Sequence, residues 1–110
     1  MRVLILRLIP AGISCFLALS TTTQAQSDAA KIYKANCVLC HSADGSGDNP
    51  TGKAMHAKDL RSDEVQKQSD TELAEVIAKG RGKMPAFGAK IKPDDVKKLV
   101  AYLRELSKQK

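Results

Sequence analysis

Residues 34–48 read KANCVLCHSADGSGD, with Cys37 and Cys40 two residues apart and His41 directly after the second thiol. A Cys-x-x-Cys-His run can attach haem covalently. The two thiols add to the two vinyl groups on one porphyrin edge as thioethers, and two intervening residues let one turn of chain span that edge. His41 is then placed beneath the iron and can ligate it through a ring nitrogen. Two other chemistries use parts of the same run. A thioredoxin-like disulfide between Cys37 and Cys40 belongs with a strand–helix context, which is absent here, and leaves the histidine without a role. A four-ligand zinc site needs two more Cys or His, and beyond the run the mature chain offers only His56.

Six-coordinate iron needs a second axial ligand, for which Met and His are the usual residues. Met55, His56 and Met84 are the candidates. Met84 lies in GRGKMPAFG, where glycines free the backbone and Pro85 stiffens the turn. A methionine displayed on a loop between two helices is oddly placed for filling a core gap, the plainer use of that side chain. Met55, in GKAMHAKDL, reads as packing over a haem edge or a loop, and His56 as a surface or propionate-side residue.

The elements that must position these residues are helical. Ser27 can cap a helix from Asp28 to about Asn36, with Ala29, Ile32, Tyr33 and Asn36 on one face. Residues 42–53 carry Gly45, Gly47, Asn49, Pro50 and Gly52 and read as loop. Ser62 and DEVQK can start one or two short turns. In SDTELAEVIAKG, Ser69 and Glu72 form a capping-box pair, Leu73, Val76 and Ile77 an apolar stripe, and Gly80 a stop. The last helix starts near Pro93, with Asp94 and Asp95 at its positive end. Val96, Leu99, Val100, Leu103 and Leu106 form its buried stripe. No segment alternates with period two, so the fold class is all-α, about four helices around one covalent haem.

The first 25 residues read as a leader. Arg2 and Arg7 precede an apolar run, Leu8 to Leu19, and Thr23-Gln24-Ala25 suits cleavage after Ala25. The run is too short to span a bilayer and is interrupted by Pro10 and Gly12. Cys15 lies inside it, which argues against a lipoprotein signal. Cleavage removes two of the 18 basic residues and none of the 12 acidic ones, leaving a net charge of +4 on residues 26–110. With only Tyr33, Phe87 and Tyr102 as aromatics and no Trp, a domain this small needs a staple such as a disulfide, a metal or a cofactor.

The chain resembles a class I cytochrome c of the small bacterial, cytochrome c6-like kind, from about Ser27 to Ser107. The resemblance rests on CVLCH near the mature N-terminus, KMPAF some forty residues later and an amphipathic last helix. In cytochromes c′ the attachment motif lies near the other end of the chain. The resemblance implies one haem c, held by Cys37 and Cys40 and ligated by His41 and Met84. It implies close crossing of the first and last helices, with a small residue at the crossing. Ala29 stands there in place of the usual Gly, and Tyr33 and Tyr102 form an aromatic pair beside it. It also implies a proline carbonyl that accepts the His41 ring N–H, a role falling to Pro50. Lys92 stands where the family often has a Ser or Thr cap.

With both axial positions filled, the expected function is one-electron transfer between redox proteins in the periplasm by a monomer with no enzyme activity. Val38, Leu60, Leu73, Ile77, Pro85, Phe87 and Leu99 are the expected pocket. Lys79, Arg81, Lys83 and Lys90 around the Met84 loop would steer acidic partners to the exposed haem edge. No aromatic-studded basic stripe points to nucleic acid, and no membrane anchor is expected. The alternative is a haem peroxidase or gas-binding protein with a labile sixth ligand; a third class is a subunit docked in a larger oxidase or dehydrogenase.

Overall fold

The computed structural model describes residues 21–110. The expected leader lies outside the described residues as far as position 20. Six helices follow in order: α1 (Thr21–Asn36), α2 (Val38–His41), α3 (Pro50–Met55), α4 (Asp63–Gln66), α5 (Asp70–Lys79) and α6 (Pro93–Ser107). The described residues form no strand, only one isolated antiparallel bridge between Arg81 and Met84. None of their helices is long and apolar enough to cross a membrane.

The three longer helices stand close to where sequence periodicity puts them, and α1 differs at its start. It is already helical at Thr21, the first described residue, ahead of Ser27 and of the expected cut after Ala25. No Gly or Pro interrupts residues 21–36, so Ser27 is an interior helical residue rather than a cap. A further difference is α3, which falls partly in the expected loop. Asn49 makes it possible, because its side-chain oxygen accepts from the Gly52 amide at 2.7 Å. Pro50 takes the first helical position, where its missing N–H costs nothing.

The capping box of α5 is complete, with Ser69 Oγ accepting from the Glu72 amide (3.1 Å) and Glu72 accepting from the Ser69 amide (2.7 Å). Lys92 gives α6 no side-chain cap, as its identity predicts.

The most extensive helix pairing is α1 with α6, followed by α5 with α6. Ala29 and Tyr33 on α1 are each 1% exposed. The Tyr33 and Tyr102 rings lie 5.2 Å apart, tilted by 52°. All five residues of the α6 stripe are buried. Truncating Leu99, 1% exposed, to Ala would cost about 2–5 kcal/mol in lost burial and residual cavity. Val65 and Ile91 complete the buried cluster, and neither stands on a long periodic stripe. On α5, Leu73 and Ile77 are buried, whereas Val76 is only half-buried.

Arg104 locks α6 to the α4–α5 junction. Its guanidinium donates to the carbonyls of Gln66 (2.8 Å) and Gln68 (2.7 Å) and to Asp70 Oδ1 (2.8 Å). Gln66 Nε2 in turn donates to the Leu60 carbonyl at 2.6 Å. This tie fixes the segment that passes beneath His41.

Candidate haem site

Cys37 continues α1 by one bond, from its amide to the Tyr33 carbonyl (2.8 Å), and then opens the single turn of α2. The amides of Cys40 (3.2 Å) and His41 (2.9 Å) both donate to the Cys37 carbonyl. One tight turn therefore carries both thiols and the imidazole. The thiols are free and half-buried. Burial, with a smaller contribution from Cys40, pushes the Cys37 thiol up to about 11. Among the described residues no group of three or more His, Cys, Asp or Glu is placed to hold a metal ion.

His41 Nδ1 lies 3.0 Å from the Lys58 carbonyl oxygen. Burial lowers the imidazole's proton affinity, and the Lys58 bond opposes this only in part. The ring is therefore neutral at pH 7. With Nδ1–H donating to Lys58, Nε2 keeps its lone pair for a metal. The acceptor is thus not Pro50, which is exposed at the first position of α3. The segment after α3 runs under the ring instead. It is held there by the Ala57 amide on Gly52 (2.8 Å) and the Leu60 amide on Gly45 (2.8 Å). A main-chain acceptor carries no side-chain signature, so sequence could not single it out.

The loop between α2 and α3 closes around the motif. The Gly47 amide donates to the His41 carbonyl (2.8 Å). Asn49 Nδ2 donates to Ser42 Oγ (2.8 Å) and reaches the Val38 carbonyl (3.5 Å). Gly52 packs so tightly that a Cβ there would collide with the carbonyl oxygens of Cys40 and Gly47. Asn49 is the site residue whose role went unread, although Asn before Pro is a legible helix-start signal.

Met84 is half-buried and packs against the buried cluster, as do Cys37, Val38, Leu60 and Phe87. The attachment turn and the methionine loop thus meet one apolar surface. The loop is pinned: Arg81 and Met84 exchange two backbone bonds of 3.1 and 2.9 Å, and the amides of Phe87 and Gly88 donate to Ile77 and Ala78 at 3.0 Å each. Gly80, with φ +75°, leaves α5 in a conformation that favours glycine, and the Met84 carbonyl would crowd a Cβ there at 2.6 Å. Of the expected pocket residues, Leu73, Ile77 and Leu99 are buried, Val38, Leu60 and Phe87 pack against them, and Pro85 is exposed. Met55 is 39% exposed at the end of α3, and His56 caps that helix in the left-handed region (φ 52°). The donor set fits a covalent haem: two free thiols on one turn, a neutral imidazole with one uncommitted nitrogen, and a half-buried thioether.

Residues 24–103 match the family model described as cytochrome C oxidase, cbb3-type, subunit III. Cytochrome c6 of Aphanizomenon flos-aquae is 33% identical over 79 residues, covering 69% of this chain and 84% of the relative. Cytochrome c6 of Microcystis aeruginosa is 32% identical over 69% of this chain and 90% of its own length. The cbb3-type oxidase subunit FixP of Azorhizobium caulinodans is 33% identical over 86 residues, which is 76% of this chain but 28% of FixP. A solved structure described as KustC0563 c-type cytochrome superposes with a TM-score of 0.63 at 36% identity, covering 72% of this chain and 96% of that one. The chain belongs to this cytochrome c family and is a small monohaem class I cytochrome c with the all-α fold. It carries one covalent c-type haem and works in electron transfer.

Proposed function

We propose that Cys37 and Cys40 form the two thioethers, that His41 Nε2 and the Met84 sulfur are the axial ligands, and that the protein shuttles single electrons between partners in the periplasm. The observation that carries this reading is the packing of the attachment turn and the Met84 loop against one buried cluster. The haem supplies a one-electron ferric/ferrous couple. With His41 and Met84 as its ligands the haem would have no open coordination site for peroxide or a gas, which favours a carrier over an enzyme. Met ligation and an apolar surround both favour the ferrous state.

The basic residues support a docking face for acidic proteins. Lys79 is engaged with Glu75 at 2.6 Å. Among the described residues Arg81, Lys83, Lys90 and Lys92 have no carboxylate within salt-bridge distance. Their charge remains free to steer an acidic partner, with an on-rate that falls as salt rises. Residues 1–25 serve as the export signal, residues 26–110 are the working domain, and the carrier acts as a monomer.

The test is spectroscopic. Protein made with haem-attachment machinery should give a c-type pyridine haemochrome, and its ferric form a low-spin spectrum with a red-region methionine-to-iron band. A high-spin ferric spectrum would assign the chain to ligand-binding or peroxidatic haem proteins instead.

A further inference from the structure

Ser42, the residue directly after His41, has φ 65° and ψ 164°. This backbone region is essentially glycine-only, and another residue persists there only where its surroundings over-determine it. Four hydrogen bonds hold Ser42. Its amide donates to the Val38 carbonyl (2.9 Å), and its carbonyl accepts from the Gly45 amide (3.2 Å). The Tyr33 hydroxyl donates to that same carbonyl at 2.7 Å. Asn49 Nδ2 donates to the Ser42 hydroxyl oxygen at 2.8 Å. Burial keeps the Tyr33 phenol protonated, so its role as donor persists across the working pH range.

Backbone bonds link the strained residue both to the His41 main chain and to the segment that carries the ring's acceptor. On one side it follows the His41 backbone, which Cys37 and Gly47 grip at 2.9 and 2.8 Å. On the other it leads to Gly45, whose carbonyl accepts from the Leu60 amide at 2.8 Å. Leu60 lies two residues after Lys58, the acceptor of the ring N–H. A serine relaxed to negative φ would redirect the 43–45 turn and move the Lys58 carbonyl relative to the imidazole.

We propose that Ser42 is the positioning residue for the His41 ring: Tyr33 and Asn49 hold it in a backbone conformation serine does not choose, and that hold sets the plane of the imidazole against Lys58. The proposal rests on His41 being an axial ligand. It extends that reading to the helix crossing, because Tyr33 belongs to the α1–α6 contact and to the ligand support at once. Groups that orient a ligating histidine commonly tune the metal site.

Two substitutions in the intact haem protein test it. Ser42→Ala removes the Asn49 contact, keeps the backbone strain, and leaves Asn49 capping α3. Tyr33→Phe removes the phenol bond and keeps the ring beside Tyr102. The readouts are the hyperfine-shifted haem methyl resonances of the ferric protein, whose order follows the axial ring plane, and exchange of the His41 Nδ1 proton in the ferrous protein. The expected result is a changed methyl pattern in both variants and Nδ1–H exchange faster by about threefold or more, the loosening expected for one hydrogen bond, with the red-region band retained. Lower stability with an unchanged methyl pattern and exchange rate would overturn the proposal and leave Ser42 a structural residue. If Ser42→Ala does not accumulate with haem, Tyr33→Phe decides alone. The parent spectrum separates the two levels: a high-spin parent overturns the axial assignment itself, whereas a low-spin parent with two silent variants overturns only the role of Ser42.

Discussion

His41 Nδ1 and the Lys58 carbonyl oxygen are 3.0 Å apart across 17 residues of chain. The acceptor is main chain, so side-chain changes at Lys58 should spare it. Lys58→Ala removes only an exposed, solvent-screened ion pair with Glu64 (3.0 Å). Pro50→Ala loosens the start of α3 by less than about 1 kcal/mol. Both variants are expected to keep the parent's visible spectrum and reduction potential. A potential that drops in Lys58→Ala would show that the side chain, and not the carbonyl alone, supports the ring.

Single substitutions Cys37→Ala and Cys40→Ala are expected to leave haem held by one thioether, read as a shifted haemochrome band. The double variant is expected to give little folded protein. The buried cluster is small, and the side chains that pack at its margin, including Val38, Leu60 and Phe87, need the bound group to complete their burial. Recovery of a stably helical, haem-free double variant by circular dichroism would count against this.

Met84→Ala should keep haem attached, open the sixth position to water, lysine or added imidazole, and lower the reduction potential. Met55→Ala should cost only local packing, since Met55 is 39% exposed. The red-region band of the ferric protein decides: its loss in Met84→Ala and survival in Met55→Ala is the expected pattern, and the reverse would reassign the ligand.

Gly52→Ala should destabilise the protein by about 1–3 kcal/mol through overpacking. Its Cβ would collide with the carbonyl oxygens of Cys40 and Gly47, both main chain and both tied to the attachment turn. Lower yield of haem-loaded protein and a reduced thermal midpoint are the readouts. A variant as stable as the parent would mean that the α2–α3 contact gives way freely.

The Arg61 guanidinium, bonded to Asp59 Oδ1 (3.1 Å) and Oδ2 (3.2 Å), holds the Asp59 carboxyl below the usual carboxylate range. A carboxyl lowered on folding stabilises above its unfolded pKa, about 4. That contribution is lost as pH falls through the folded value. Asp59 is 41% exposed, so the contribution is under about 1 kcal/mol. Asp59→Asn should melt slightly below the parent at pH 7, and the gap should close from about pH 4 downward. A gap that stays constant to pH 2 would exclude the ion pair as its source.

The parts legible in sequence are those written in side chains at regular spacing. The CVLCH turn, the Ser69–Glu72 box and the α6 stripe depend on residue type at a fixed offset, whereas the Tyr33–Tyr102 pair is legible only through the family resemblance. What escaped depends on the main chain or on distant partners. The Lys58 carbonyl could belong to any residue that the 57–60 segment brought beneath the ring. Val65 and Ile91 are buried by their neighbours rather than by a stripe of their own. The 42–53 segment looked structureless because its glycines mask an Asn-Pro helix start. Lys79 looked like part of a free basic face until α5 placed Glu75 one turn away.

The pairing of α1 with α6 joins the two ends of the domain, and this orders events in time. A chain that emerges N-terminus first presents Cys37 and Cys40 before α6 appears. During that interval Leu99, Val100 and Leu103 are not yet there to cover α1 and α5, and the thiols remain reachable by whatever ligates them. Contacts between distant parts of a chain carry the larger loop-closure cost. The α1–α6 contact therefore belongs to the last stage of assembly, after both thiols have been presented.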